Sequence, residues 1–348
     1  MRQTASNTMA FTILVTAAGL APAGLQMLEA AGCRVLFLRD AHSADEVEAT
    51  LAAEPVDAVI SRTVELSARA MAACPTLKVI SKHGVGVGNI DVAAATARGI
   101  PVYVTPGANA QSVAELTLGL MLAAARRIPM LDRELHAGRW TRAQDGVQLA
   151  GRRLGLVGFG QIGQRVAQVA LVLGMEVHAF DPALRGPTPV AGVALADSLD
   201  ALLPLSDVLS LHVPLNARTR HLIDARRLAL LPAGAMLINT ARGEVVDEPA
   251  LIAALQSGAL LAAGLDTMAQ EPLPADSALA RLDNVVLTPH VGGSTAAALA
   301  GMASGAATNV LGFLDGAPER RPADTACVNP QVFDVLPLPI PLPGTPSS

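Results

Sequence analysis

Short runs of Val, Ile and Leu alternate with Ala-rich stretches through the first hundred residues. Runs of four to eight apolar residues are typical of buried strands, whereas apolar positions spaced three or four apart are typical of helices. Strands are predicted at 11–16, 34–40, 56–62, 77–81 and 100–105, and helices near 21–31, 43–53 and 67–73. This alternation predicts an α/β domain with a doubly wound parallel sheet.

The alternation stops at residues 109–127, which predict one long helix. Ser112 and Glu115 have the spacing of a capping box at its start. The helix is apolar on nearly every face, which indicates burial. An arginine-rich stretch follows to about residue 150 and holds the only tryptophan, Trp140. Two interpretations of this stretch stay open, a solvated surface and a contact between subunits.

A second alternating series begins at residue 152 and predicts a second doubly wound parallel sheet. Its strands are predicted at 152–160, 176–181, 207–214, 235–242, 262–268 and 284–290, before a last helix near 294–315. We expect one domain, 104–292, to be inserted into another formed by 10–103 and 293–331. The Pro-rich tail, 332–348, is predicted to be disordered.

Composition excludes several classes of protein. The 348 residues are 51% hydrophobic and 16% charged, which indicates a folded globular protein. The net charge of −5 argues against a nucleic-acid partner. The three cysteines form no CxxC pair, and no cluster of metal ligands is visible, so we expect free thiols, no metal and a cytoplasmic location. The apolar stretch 113–125 is too short to cross a bilayer, so we expect no membrane partner.

The strand near 152–160 ends in a glycine motif, Gly158-Phe159-Gly160-Gln161-Ile162-Gly163. It follows a strand and opens a helix, the context in which such glycines bind a dinucleotide pyrophosphate at a helix N-terminus. Asp181 ends the next strand, 18 residues after Gly163, where a carboxylate bonds the adenosine ribose. A carboxylate repels a 2′-phosphate, so we expect NAD rather than NADP, although the nearby Arg185 weakens that preference.

Three later strands end in reactive side chains, Arg242, Glu271 and His290. Ligands of open α/β sheets lie at the carboxyl ends of the strands. We therefore expect these three residues to converge beside the dinucleotide.

The motifs "GFGQIG", "INTARGEVVDEPAL", "GLDTMAQEPL" and "LTPHVGGST" resemble, in this order, those of the D-isomer-specific 2-hydroxyacid dehydrogenases. The resemblance covers about residues 10–331 and is nearer to the D-3-phosphoglycerate and hydroxypyruvate/glyoxylate branch. It implies a Rossmann NAD domain inserted into a flavodoxin-like substrate domain, and hydride transfer between NAD(H) and a D-2-hydroxy acid or 2-oxo acid. It also implies that Arg242 binds the substrate carboxylate, that His290 exchanges a proton with the carbonyl oxygen, and that Glu271 holds the imidazole and favours its protonated form.

The same resemblance implies further contacts. NAD would contact Thr240, Ala241 and Arg242 along the nicotinamide, Asp266 at its amide, Val213 and Pro214 at the adenine, Gln161 and Ile162 at the pyrophosphate, and His290, Gly292 and Gly293 at the domain junction. Backbone N–H groups of Val85 and Gly86 would bind the substrate carboxylate. A homodimer contact is implied for the long helix and the Trp140 stretch.

Three questions stay open. Arg62, Lys82 and His83 either give the substrate site positive charge for a phosphorylated or dicarboxylate substrate, or are ordinary cations at loop ends. The chain departs from the family pattern at Gly88, usually an acid, and at Met268, often an aromatic residue beside the active site. Finally, an NAD-sensing binding protein, similar to the C-terminal-binding corepressors, is an alternative to an enzyme, since those proteins keep the Arg, Glu and His.

Overall fold

The computed structural model describes residues 11–40, 42–142, 145–184, 186–316 and 326–335. The chain forms two compact units, with Met1–Asn109 and Ala296–Ser348 in unit 1 and Ala110–Thr295 in unit 2. Arg185, the first ten residues and the tail beyond residue 335 lie outside the described residues.

Unit 1 contains a five-stranded parallel sheet flanked by helices. Its strands and first helices are β1 (Thr12–Val15), α1 (Pro22–Ala30), β2 (Arg34–Phe37), α2 (Ala44–Ala53), β3 (Ala58–Ser61), α3 (Ala68–Ala72), β4 (Val79–Lys82), α4 (Val92–Ala97) and β5 (Val102–Tyr103). The order β2-β1-β3-β4-β5 is the flavodoxin-like arrangement that the family resemblance implies. All residues of β1, β3 and β4 are buried, because helices cover both faces of the sheet.

Unit 2 contains a seven-stranded parallel sheet. Its elements are α5 (Ala110–Ala125), α6 (Ile128–His136), β6 (Arg153–Val157), α7 (Gln161–Val172), β7 (Glu176–Phe180), β8 (Val193–Leu195), α8 (Leu199–Leu202), β9 (Val208–Leu211), α9 (Ala225–Leu228), β10 (Ala235–Asn239), α10 (Glu248–Gln256), β11 (Leu260–Leu265) and β12 (Val285–Leu287). The strand order is β12-β11-β10-β9-β6-β7-β8. The chain adds β7 and β8 on one side of β6 and then β9 to β12 on its other side, as in a Rossmann sheet. The sequence did not predict β8, which has three residues, two of them exposed.

The predicted helix at 109–127 corresponds to α5, but its predicted capping box is wrong, and the following helix α6, in the arginine-rich stretch, was not predicted. α5 starts at Ala110, so Ser112 lies inside the first turn, where its hydroxyl bonds Thr295 Oγ1 at 2.7 Å. Glu115 instead accepts a hydrogen bond from the Gln111 side chain at 2.9 Å. Arg127, with φ of 54°, separates α5 from α6 because a left-handed residue cannot continue a right-handed helix.

The chain returns to unit 1 with α11 (Ala296–Leu314) and α12 (Val332–Val335). α11 packs so closely on α1 that a side chain at Gly24 would lie 2.5 Å from the Ala303 carbonyl oxygen. Among the described helices, α11 alone is long and apolar enough to cross a membrane. Its buried side chains, which include Ala306 and Val310, belong to the core of unit 1, as expected for a core helix.

The predicted start of the disordered tail at residue 332 is wrong. α12 occupies 332–335, Val332 is buried, and Phe333 packs against the core of unit 1. The reason is burial of these two apolar side chains, which the Pro-rich composition of the rest of the tail obscured.

Candidate active site

Three neighbouring strands of unit 2 carry the three reactive residues on the loops that follow them. β12, β11 and β10 are adjacent in the sheet, and His290, Glu271 and Arg242 follow them in that order. Because these strands are parallel, their carboxyl ends lie at one edge of the sheet. The strands end earlier than the sequence predicts, so all three side chains are on loops rather than on strands.

Glu271 and His290 form a direct hydrogen bond. His290 Nδ1 lies 2.8 Å from Glu271 Oε2, and the Met268 N–H donates to Glu271 Oε1 at 3.1 Å. Both side chains are partly exposed, 43% for His290 and 36% for Glu271. Within the part of the chain that the structure describes, nothing bonds His290 Nε2. That nitrogen is therefore available to a ligand.

Opposing effects set the pKa of Glu271. Partial burial raises this pKa, but the hydrogen bond and charge of His290, the Met268 N–H and the charge of Arg242 together outweigh burial and hold it below its usual value. The carboxylate is therefore ionised near neutral pH and favours a proton on the imidazole. The influence of Arg242 on Glu271 also indicates that the three residues form one electrostatic cluster.

The loops that carry Arg242 and Glu271 pack tightly against each other. Arg242 has an extended backbone, and its Nη1 donates to the Ala241 carbonyl oxygen at 2.6 Å. A side chain at Gly243 would lie 1.9 Å from the Met268 carbonyl carbon, a distance that no real contact allows. Glycine at 243 therefore permits the loop after β10 to approach the loop after β11.

A buried carboxylate organises the turn that carries His290. Asp266 is 1% exposed and accepts three hydrogen bonds, from Thr288 Oγ1 at 2.6 Å and from the N–H groups of Val291 and Gly292 at 2.8 Å each. His290 sits between these donors with φ of 54°, a left-handed conformation that is uncommon for histidine. Asp266 thus holds a turn that the backbone alone does not favour. A carboxylate accepts up to about four hydrogen bonds, so capacity remains for the predicted contact with a nicotinamide amide.

The glycine loop after β6 has the shape that a pyrophosphate needs. Gly158 has φ of 92°, and a side chain there would lie 2.4 Å from the His212 carbonyl oxygen. A side chain at Gly163 would lie 2.5 Å from the Gly158 carbonyl oxygen. At Gly160, by contrast, nothing lies within 4 Å, and α7 begins after it without a side-chain cap. Two glycines therefore allow close packing, and the third leaves open space beside a helix N-terminus, which fits a bound dinucleotide.

Asp181 lies at the end of β7 beside this loop. Its Oδ2 accepts from the Phe159 N–H at 2.8 Å, and its Oδ1 accepts from the Ala183 N–H at 2.9 Å. The carboxylate is therefore fixed next to the glycine loop, as expected for a ribose ligand. The other predicted NAD contacts lie on loops at the same edge of the sheet or at the start of α7: Gln161, Ile162, Val213, Pro214, Thr240, Ala241, Gly292 and Gly293.

The predicted substrate loop lies in unit 1, after β4. Gly84 is fixed by Thr105, whose hydroxyl accepts the Gly84 N–H at 2.9 Å and whose N–H donates to the Gly84 carbonyl oxygen at 2.9 Å. Val85 is 49% exposed. For the described residues, no acceptor is found for the N–H groups of Val85 and Gly86. The loop thus offers N–H groups that suit an anion.

The three predicted cations of unit 1 differ in their surroundings. The Lys82 ammonium group is buried and donates to the Arg62 carbonyl oxygen and, at 2.6 Å, to Asn89 Oδ1. Burial, followed by the charge of Arg62, lowers the pKa of His83 to about 4, so this imidazole is neutral at pH 7. Arg62 is half-buried, and its guanidinium has no acceptor among the described residues. Of the three, Arg62 is therefore the cation best placed to bind a ligand.

The comparisons agree with this geometry. Residues 118–292 match the family model described as D-isomer specific 2-hydroxyacid dehydrogenase, NAD binding domain. The chain belongs to this family. A hydroxypyruvate reductase of Thermotoga maritima is 47% identical over 248 residues, which are 70% of this chain and 80% of that protein. A D-3-phosphoglycerate dehydrogenase of Methanocaldococcus jannaschii is 48% identical over 223 residues, which are 63% of this chain but 42% of that protein.

Solved structures support the same assignment. A D-lactate dehydrogenase of Aquifex aeolicus, complexed with NAD and lactic acid, has a TM-score of 0.80 and 28% identity, with 91% of this chain and 99% of that chain covered. The matched segment of this chain is the NAD-binding domain of the family, and its cofactor is NAD.

The two departures from the family pattern have different consequences. Nothing lies within 4 Å of a side chain built at Gly88, and Asp91 caps α4 through the Ala94 N–H at 2.8 Å, so the cap is intact without the acid. Met268 is 6% exposed and belongs to the hydrophobic core of unit 2. Met268 lies beside the active site and contributes to it through its backbone N–H, which holds Glu271, while its side chain is buried.

Sequence reasoning missed two features of the site. Asn239 is not a predicted site residue, although its buried side chain bonds the backbone of the turn that carries Arg242. The hydrogen bonds that Asp266 accepts from the His290 turn were also missed. The available signal was a polar residue at the end of an otherwise apolar strand, since such a residue has to find partners when buried.

Proposed function

We propose that this chain is an NAD-dependent dehydrogenase that interconverts a D-2-hydroxy acid and its 2-oxo acid. The observation that carries the proposal is the Glu271–His290 hydrogen bond of 2.8 Å, on loops that adjoin Arg242. An ionised carboxylate that supports an imidazole, beside a guanidinium, suits a substrate with a carboxylate next to a carbonyl.

Each side chain has one role in this proposal. Bound NADH supplies a hydride to the substrate. Arg242 forms a bidentate ion pair with the substrate carboxylate, for which the planar guanidinium is better suited than an ammonium group. His290 donates the Nε2 proton to the carbonyl oxygen in reduction and removes it in oxidation. Glu271 keeps Nδ1 protonated and the ring oriented, so that Nε2 points its proton at the substrate.

We propose that the substrate is small and unphosphorylated, such as hydroxypyruvate or glyoxylate. A phosphate monoester carries nearly two negative charges and is usually held by several cations. Here the Lys82 ammonium group is buried and bonds two oxygens of the protein, and His83 is neutral, so Arg62 is the most accessible of the three predicted cations. The similarity to a hydroxypyruvate reductase and to a Thermofilum pendens glyoxylate reductase, of which 82% is covered, also supports this choice.

The test is a panel of 2-oxo acids assayed with NADH. We expect kcat/KM for hydroxypyruvate or glyoxylate to exceed that for phosphohydroxypyruvate by about tenfold or more, as one missing ion pair would predict. A higher kcat/KM for the phosphorylated acid would refute the substrate assignment. Tight NADH binding without turnover on any acid would instead favour an NAD-sensing protein, an alternative that the relatives, named as enzymes, do not support.

We also propose a homodimer in which a second copy covers α6 and the Trp140 stretch. No residue of α6 is buried, and Ile128, Leu135 and Trp140 are 53%, 55% and 78% exposed. Apolar side chains clustered in this way are typical of a protein contact. We expect Leu135→Glu to convert a dimer into a monomer in analytical ultracentrifugation, whereas Leu195→Glu, at a residue that is 42% exposed on β8, leaves the dimer intact. A wild-type monomer at micromolar concentration would contradict the proposal.

We further propose a cytoplasmic enzyme without nucleic-acid or membrane partners. Its three cysteines form no CxxC pair, which suits a reducing compartment, and its net charge is −5. Fractionation of the source cells tests this location, and recovery with the membrane or in an oxidising compartment would contradict it.

A further inference from the structure

The turn that carries Arg242 is built around one buried side chain, Asn239. This residue ends β10 and is 1% exposed. Its Oδ1 accepts the Ala241 N–H at 3.0 Å, and its Nδ2 donates to the Arg242 carbonyl oxygen at 2.8 Å. Both ends of the amide are used, one as acceptor and one as donor. Neither a carboxylate nor an aliphatic side chain of the same size reproduces this pattern.

The contacts continue from the backbone to the guanidinium. The Ala241 peptide donates its N–H to Asn239, and its carbonyl oxygen accepts from Arg242 Nη1 at 2.6 Å. The main-chain oxygen of Asn239 accepts the Asp266 N–H at 2.9 Å, which joins this turn to the strand end that holds the His290 turn. The Asn239 side chain therefore influences the orientation of the Arg242 guanidinium as well as the local backbone.

We propose that Asn239 is a positioning residue for Arg242, which orients the guanidinium toward the carboxylate of the 2-oxo acid. This inference rests on the proposed dehydrogenase activity for the role of Arg242. Without the amide, the turn from 239 to 242 loses both side-chain hydrogen bonds, and a misplaced guanidinium binds a carboxylate less well.

The test is a double-mutant cycle with Asn239→Ala and Arg242→Ala. Loss of these hydrogen bonds predicts a fall in kcat/KM of about tenfold or more for Asn239→Ala in the wild-type background, mostly through KM for the 2-oxo acid. In the Arg242→Ala background we expect the same change to alter kcat/KM by less than about threefold, because coupled residues are not additive. Equal effects in both backgrounds would show a merely structural role and overturn the proposal.

A matched control is Asn284→Ala. The Asn284 side chain also bonds two backbone carbonyl oxygens, of Leu255 and Leu261, at 3.3 and 3.2 Å, but it lies at the amino end of β12. We expect Asn284→Ala to lower the midpoint of thermal unfolding without raising KM for the 2-oxo acid. Should Asn239→Ala fail to fold, Asn239→Ser is used in the same cycle, since its hydroxyl is too short to make both contacts.

A binding measurement separates this proposal from the proposed activity. Oxalate, which presents two planar carboxylates, is titrated into each variant with NADH bound, and nucleotide fluorescence reports its Kd. We expect the oxalate Kd to rise about tenfold in Asn239→Ala and to stay unchanged in Asn284→Ala. If the wild type binds oxalate but turns over no 2-oxo acid, the proposed dehydrogenase activity is refuted, whereas the positioning role of Asn239 is not. An unchanged Kd in Asn239→Ala, or no oxalate binding to the wild type, would refute the positioning role.

Discussion

Removal of the charge beside His290 tests the central feature of the site. Glu271→Gln keeps the size of the side chain but replaces a carboxylate, whose oxygen lies 2.8 Å from His290 Nδ1, with a neutral amide. Both side chains are more than a third exposed, so water screens their attraction strongly. A pair of charges about 4 Å apart in a nearly aqueous environment gains about 1 kcal/mol.

The assay is the pH dependence of kcat/KM for reduction of a 2-oxo acid. The pKa of Glu271 lies below its usual value, so this side chain keeps its charge near neutral pH and loses it only as pH falls. We therefore expect the ratio of wild-type to Glu271→Gln kcat/KM to be largest near neutral pH and to shrink as pH falls and Glu271 takes up a proton. We also expect kcat to fall about tenfold at the optimum, because the ring loses its orienting partner.

The control is Glu244→Gln, which removes a carboxylate that pairs with Arg220 at 3.7 Å instead of with His290. We expect this variant to keep the wild-type pH profile. If Glu271→Gln also keeps that profile, the carboxylate does not stabilise the protonated imidazole, and the reasoning is refuted.

Three further predictions concern other parts of the site. Gly243→Ala forces the Met268 backbone away, so we expect kcat/KM to fall at least about tenfold; retention of wild-type kinetics would refute the close approach. His83 has a folded-state pKa of about 4, below the ordinary value near 6.5, so between these values the unfolded chain binds a proton that the folded chain does not, and stability falls as pH decreases. We expect His83→Asn to reduce the loss of unfolding free energy between pH 7 and 5, by about 1–2 kcal/mol in urea titrations, and an unchanged pH dependence would contradict this. Asp181→Ser removes both the ribose ligand and the hydrogen bond to the Phe159 N–H, so we expect KM for NAD to rise about tenfold while KM for NADP falls; a parallel rise in both would mean that another residue sets the preference.

Local sequence patterns predicted the parts of the fold that depend on neighbouring residues. The helices near 21–31, 43–53 and 67–73 lie where α1, α2 and α3 are found. The short edge strand β8 was missed, because two of its three residues are exposed and give no apolar run. Helix α6 was also missed, since none of its residues is buried.

The chemistry of the site was predictable only in part. Arg242, Glu271 and His290 each follow a predicted strand, and parallel topology brings such positions to one edge of the sheet. The roles of Lys82 and His83 were not predictable, because burial and hydrogen-bond partners decide whether a cation is available and whether an imidazole is charged. Asn239 was overlooked for the same reason, as its importance comes from the two backbone groups that it contacts.

The sequence by itself determined the strand–helix order, the glycine loop and the three reactive side chains, because these follow from residue type, apolar spacing and chain order. The tertiary structure decided how these side chains are held. It placed the Asp266 carboxylate where it bonds the turn of His290, whose φ is positive. It also brought Gly243 against Met268 and set the 2.8 Å contact between Glu271 and His290. The physical reason is that these contacts join residues distant in the chain, and the distances between them are fixed only when the strands pair and the loops pack.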